Sequence, residues 1–175
     1  MNETIKNLIE RRSCKNFDPS RMVEDDKLNL ILEAGKYAAN GRGLQSASMV
    51  VVQKPEMVKK LSELNASVLG AKGIDPFYNA TTVIIVFANP DTHTYIEDGS
   101  LVIGNLMNAA YSLGVDSCWI HRAKEVFSSE EGIKIKKEWG IAENLVGIGN
   151  CVLGYRATDL AKAKPRKDDF VRFIK

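Results

Sequence analysis

Apolar positions recur along this chain in two rhythms, and the alternation between them sketches the fold. Residues 4–10 place Ile5, Leu8 and Ile9 on one helical face, and the pattern stops at the turn-forming Asp18-Pro19-Ser20. Residues 25–39 repeat Leu28, Ile31, Leu32 and Gly35 at helical spacing behind an acidic first turn, where the helix dipole favours carboxylates. Asn40-Gly41-Arg42-Gly43-Leu44-Gln45-Ser46 then breaks the rhythm as a loop, and residues 48–53 follow as a β-branched strand. Pro55 suits the first turn of a helix carrying Met57, Val58, Leu61 and Leu64. Two glycines and a proline make residues 70–76 a loop or lid.

The second half is more apolar. Residues 81–88 form a continuous run closed by Asn89-Pro90, which predicts a central strand buried on both faces. Residues 98–113 predict a helix apolar over more than one face, ended by Gly114, that belongs in the core or a subunit interface. A short strand at 115–120, a helix at 128–139 with Ser128 and Glu131 as a capping box, and a strand at 145–153 complete the order. Residues 170–174 alternate apolar and polar, so the tail reads as a strand that needs a sheet edge, its own or a neighbouring subunit's.

Helices that alternate with four or five strands predict a three-layer α/β/α sandwich. With 175 residues, 45% of them hydrophobic, one domain can bury ~70% of the surface its unfolded chain exposes. No repeat, low-complexity tract or linker divides it. The 24 basic and 22 acidic residues balance to +2, which argues against general affinity for nucleic acid while leaving room for a local anion site. Cys14, Cys118 and Cys151 lie far apart with no C-x-x-C pair, so neither a disulfide framework nor a zinc site is predicted. No apolar run is long enough to span a bilayer, no basic and apolar leader opens the chain, and a reduced, cytoplasmic setting is expected.

The glycine-rich fingerprints of dinucleotide and P-loop sites are absent. What stands out instead is charge at the two ends. Arg11-Arg12-Ser13-Cys14-Lys15 gathers three cations and a hydroxyl at a helix exit, and Lys164-Pro165-Arg166 adds two more. Guanidinium forks, an ammonium and a hydroxyl together could surround a phosphate. Charge alone favours a solvated basic face.

Motif order changes that balance. Arg11 to Phe17 resembles the amino-terminal signature of the FMN-dependent nitroreductase family, Arg-(Arg/His)-Ser-x-(Arg/Lys)-x-(Phe/Tyr), and a helix ending Glu33-Ala34-Gly35-Lys36-Tyr37-Ala38 follows at similar spacing. Leu113 to Ile120 resembles the family's glycine turn and strand, residues 149–155 its closing strand, and Lys164-Pro165-Arg166 its Lys-x-Arg phosphate contact. Four motifs in family order cover nearly the whole chain.

The resemblance implies an α+β fold, a three-layer α/β/α sandwich whose central mixed sheet has four strands plus one from the partner's C-terminal tail. It implies one domain, 1–175, with residues 156–175 reaching the partner subunit of a homodimer. It implies FMN as cofactor, NADH or NADPH as reductant, and a small-molecule electron acceptor such as a nitroaromatic or quinone, reduced in ping-pong order. Residue by residue, it assigns Arg11, Ser13 and Arg166 to the phosphate and ribityl, with Lys164 and Arg12 in the same set. Lys15 falls near the N1/O2 edge of the ring, where a cation stabilises the charge of reduced flavin.

Ala39, Asn40, Gly41 and Gln45 belong to the loop that packs on the ring from the partner. There the family pattern Pro-Ser-Gly-x-Asn-x-Gln-Pro-Trp is altered, with Gly43 in place of the Asn that bonds the pyrimidine end; Asn40, or backbone and a water, would have to substitute. Ile120, His121 and Arg122 fall where the family presents a main-chain N–H to flavin N5. Trp119 is expected in the core, Phe77 and Tyr78 in the core or a substrate slot, His93 at the surface, and Asn105 as an amide satisfied by backbone. Two other readings stay open: a same-fold flavoenzyme of dehalogenase, flavin-destroying or ene-reductase type, and a flavin-binding module with little turnover.

Overall fold

A computed structural model describes residues 1–71 and 73–175. Four strands form one sheet in the order β1-β2-β4-β3: β1 (Ala47–Val52), β2 (Thr82–Ala88), β3 (Asp116–Ile120) and β4 (Val146–Gly154). All seven residues of β2 are buried, as its unbroken apolar run predicts, and β2 lies inside the sheet. Each fully buried Ile, Val or Phe there stabilises the fold by about 1.5–3 kcal/mol.

Side chains alternate between two cores. Val83, Ile85 and Phe87 face one with Val152, Cys118 and Ile120; Ile84, Val86 and Ala88 face the other with Cys151 and Leu153. On the first face lie α3 (Pro55–Leu69), α5 (Ala123–Ser128) and α6 (Glu130–Glu138), and on the second α2 (Asp25–Lys36) and α4 (Tyr95–Ser112), which is the expected three-layer sandwich. A bulge where Val86 and Phe87 pair with Gly149 and Gly147 turns Ile148 onto the second face.

Several expectations change in detail. All three strand pairings are antiparallel, and the mixed character expected of the sheet is confined, among the described residues, to one parallel bridge between Ser13 and Ser117. The helix expected over 128–139 is α6, with Ser129 rather than Ser128 as its cap, and the short α5 before it is not expected from the sequence pattern. Ser129 Oγ accepts from Gly132 N at 3.1 Å and donates to Val126 O at 2.6 Å. Glu131 turns outward to pair with Lys60 instead of closing a box. A Cβ on Gly132 would sit 2.0 Å from Val126 O, so the tight junction needs that glycine.

The opening helix, α1 (Glu3–Glu10), is capped by Asn2, whose Oδ1 accepts from Ile5 N at 3.0 Å, but its apolar stripe stays half exposed. The tail finds no edge within one chain. Residues 170–174 keep their alternation, yet no strand is formed there among the described residues, and Phe170, Val171, Phe173 and Ile174 are exposed. An extended segment with no neighbouring edge gains no ladder hydrogen bonds.

Candidate anion groove and its surroundings

The chain leaving α1 is stitched to the sheet by its backbone. Cys14 N donates to Ser117 O at 2.9 Å, Phe17 N to Tyr78 O at 2.9 Å, and Asp18 N to Tyr155 O at 2.8 Å. Cys14 and Phe17 point into the core, leaving Ser13, Lys15 and Asn16 facing outward. The tail returns alongside, with Ala157 N donating to Asn16 O at 3.0 Å.

Between the two segments lies a groove of about 520 Å³ lined by Arg12, Ser13, Lys15, Lys162, Lys164 and Arg166 among others, with Asp159 as its one carboxylate. Ends of the chain some 150 residues apart thus supply one basic surface. None of Lys15, Lys162, Lys164 and Arg166 has an acidic partner among the described residues.

The two arginines differ. Arg12 turns back on α1, its Nη1 donating to Ile9 O and Arg11 O, both at 2.7 Å, and so caps the helix. Arg11 Nη1 is buried with no acceptor. A buried guanidinium N–H without a partner is costly, but Arg11, unlike Arg12, is not among the residues that line the groove. Burial pushes the Cys118 thiol up, with Ser13, Lys15 and Arg11 pulling the other way. Burial likewise raises Cys14 and Cys151, so the thiols stay protonated and packed. No cluster of His, Cys, Asp or Glu able to hold a metal occurs among the described residues, and no helix there is long and apolar enough to cross a membrane.

Ala39, Asn40, Gly41 and Gln45 do not line this groove. Their loop is fastened to α4 instead. Gly41 N donates to Asp98 Oδ1 at 2.9 Å and Ser46 Oγ to Asp98 Oδ2 at 2.7 Å. Burial of Asp98 opposes ionisation, but these bonds and one from Thr94 outweigh it and hold the carboxyl below its ordinary range. A Cβ on Gly41 would meet Thr94 Oγ1 at 2.1 Å. Arg42 and Gln45 sit at φ 56° and 49°, left-handed values that such anchoring makes tolerable. Asn40 accepts from Gln45 N at 2.9 Å and donates to Ala38 O at 3.3 Å. Both ends of its amide thus bond within the loop.

Ile120, His121 and Arg122 form the turn from β3 into α5, also outside the groove. Asn65 Nδ2 donates to His121 O at 2.8 Å, Asn150 Nδ2 to Ile120 O at 3.3 Å, and Arg122 adopts φ 75°. Asp98, Asn65 and Asn150, which brace these two segments, do not stand out in the sequence.

The remaining aromatics and polar residues take structural places. Phe77 is core, Tyr78 and Trp119 pack partly buried against the two cores, His93 is exposed, and Asn105 Nδ2 donates to Ala34 O at 3.0 Å. A larger cavity of about 720 Å³ lies between α3 and residues 73–81, lined by Met22, Val58 and Phe77 among others. Asp75 braces its wall, accepting from Ser62 Oγ and from the Phe77 and Asn79 backbone. Of the expected lid over 70–76, Lys72 lies outside the described residues.

The chain is thus an α/β/α sandwich of α+β class with a cation-lined groove between its two terminal segments. Its family is more specific: residues 8–155 match the Nitroreductase family, and the chain belongs to it. A protein of Archaeoglobus fulgidus, provisionally named an NADH dehydrogenase/NAD(P)H nitroreductase, is 32% identical over 89% of this chain and 86% of its own. Two solved structures superpose over the whole of both chains. They are a nitroreductase with bound FMN from Bacteroides fragilis, at TM-score 0.91 and 27% identity, and one with bound FMN from Desulfitobacterium hafniense, at 0.90 and 25%.

Proposed function

We propose that this chain is an FMN-dependent oxidoreductase that takes hydride from NADH or NADPH and passes it to a nitroaromatic, quinone or similar small acceptor. The observation that carries the reading is the groove, where Ser13, Lys15, Lys164 and Arg166 converge without acidic partners. That donor set fits a phosphate and its ribityl chain. Arg11 and Arg166 supply forked donors, Lys164 a point charge and Ser13 a hydroxyl, while Arg12 fixes the helix end from which they project.

From Ser117, bridged to Ser13, four residues of strand reach His121, about 13 Å at ~3.3 Å per residue. That span suits a ring whose reactive edge meets the 120–122 turn. Lys15, on the wall of the groove, would hold a positive charge where the ring becomes anionic on reduction. FMN, when bound, supplies a two-electron hydride carrier; the chain supplies binding, orientation and field.

The homodimer belongs to the same proposal. The exposed stripe of α1, the apolar tail 170–174 and the anchored 39–46 loop all present surface with no partner in one chain. Across a two-fold axis the loop would complete the ring site of the other subunit. The altered loop, with glycine at 43, is the ground for a second reading of the reaction, with dehalogenase or ene-reductase chemistry in the same site. Three buried free thiols suit a reducing cytoplasm.

Steady-state kinetics with FMN-loaded protein test the mechanism. Double-reciprocal plots for NADH against menadione should be parallel, since one site serves reductant and acceptor in turn. Intersecting lines would contradict that order, and absence of turnover with both nicotinamides would leave a binding module.

A further inference from the structure

Two buried amides hold the turn that ends β3, and hydropathy explains neither. Asn65 is 2% exposed on the inner face of α3 with Val58, Leu61 and Ala66, and Asn150 is 3% exposed in the middle of a strand otherwise nearly all apolar or glycine. Leucine would fill the first position at no polar cost. Each amide instead donates to a carbonyl of the turn, Asn65 to His121 O and Asn150 to Ile120 O.

A planar trans peptide points its C=O and its following N–H in opposite directions. With the His121 carbonyl drawn onto Asn65, the Arg122 N–H must point away from α3; with the Ile120 carbonyl held by Asn150, the His121 N–H points away from that amide. Neither N–H has a protein acceptor among the described residues. Arg122 holds φ 75° and ψ 15°, a conformation that a long side chain keeps only when its surroundings impose it.

We propose that Asn65, supported by Asn150, is a positioning residue that aims the Arg122 main-chain N–H at the N5 edge of bound flavin. The inference rests on the FMN reading above. A donor fixed in advance at N5 needs no reorganisation when hydride arrives, and it acts through Arg122 rather than by touching the cofactor itself.

The test uses FMN labelled with nitrogen-15 at N5, bound to the full chain and to Asn65→Leu, which preserves bulk but cannot donate. In the wild type the N5 resonance should report a hydrogen bond, and in the variant it should move toward its value in aprotic solvent. FMN affinity should change less than about threefold while reduction by NADH slows roughly tenfold or more. An unchanged N5 resonance in Asn65→Leu overturns the inference and leaves the FMN reading standing; a wild-type chain that binds no FMN overturns both. Should Asn65→Leu fail to fold, the wild type decides alone: FMN must slow hydrogen exchange at the Arg122 amide, and unchanged exchange contradicts the proposal.

Discussion

The anion groove and the β3–α5 turn sit at two ends of one proposed site and are built by opposite means. The groove is lined by exposed cations, Lys15, Lys162, Lys164 and Arg166, brought together by the chain's two ends. The turn exposes no charge to the task. It is backbone, held by buried side chains, as is the 39–46 loop on Asp98. A phosphate can be gathered by charge from many directions, whereas a donor for one ring atom has to be placed. Substitution in the groove should therefore cost affinity, and substitution of a pin should cost order.

The largest effect should come from a pin. Asp98→Ala strips the acceptor from Gly41 N and Ser46 Oγ, and should lower unfolding free energy by about 3 kcal/mol in urea. The acid limb follows from its depressed pKa. Asp98 contributes its full stabilisation above the ordinary value of 3.8 and loses it as pH falls through the lower folded value. The gap between wild type and Asp98→Asn should accordingly close in strong acid, and a gap that widens there would reverse the assignment.

Next comes the groove. Arg166→Ala should weaken FMN binding roughly tenfold to a hundredfold, more so at low salt, with the melting temperature of the cofactor-free protein unchanged. Loss of stability equal to loss of affinity would erase the contrast between the regions. Lys15→Met should slow anaerobic reduction by NADH about tenfold while FMN binding shifts less. Equal reduction rates would remove Lys15 from the chemistry. The smallest effect belongs to Cys14→Ala, since its thiol is held protonated by burial; NADH turnover should stay within about twofold.

The same contrast explains what the sequence discloses. β2 is legible because seven successive apolar residues have only one place to go, and the cations of 11–15 are legible because they are neighbours in the chain. The pins are not. Asn65, Asn150 and Asp98 meet their partners across 56, 30 and 57 residues, and nothing local marks a buried amide as a clamp rather than a surface group. The cap at Ser129 escaped for a smaller reason: Ser128 and Ser129 are adjacent, and only the close approach at Gly132 selects the second. The tail shows its alternation in the sequence and pairs with no edge among the described residues.

The most direct test is an absorption spectrum of the FMN-loaded protein, recorded anaerobically before and after NADH and then NADPH. Flavin bands that survive gel filtration and bleach with one of the two are the predicted result. Failure to retain FMN would contradict the groove assignment, and retained bands that neither nicotinamide bleaches would contradict the proposed reductase.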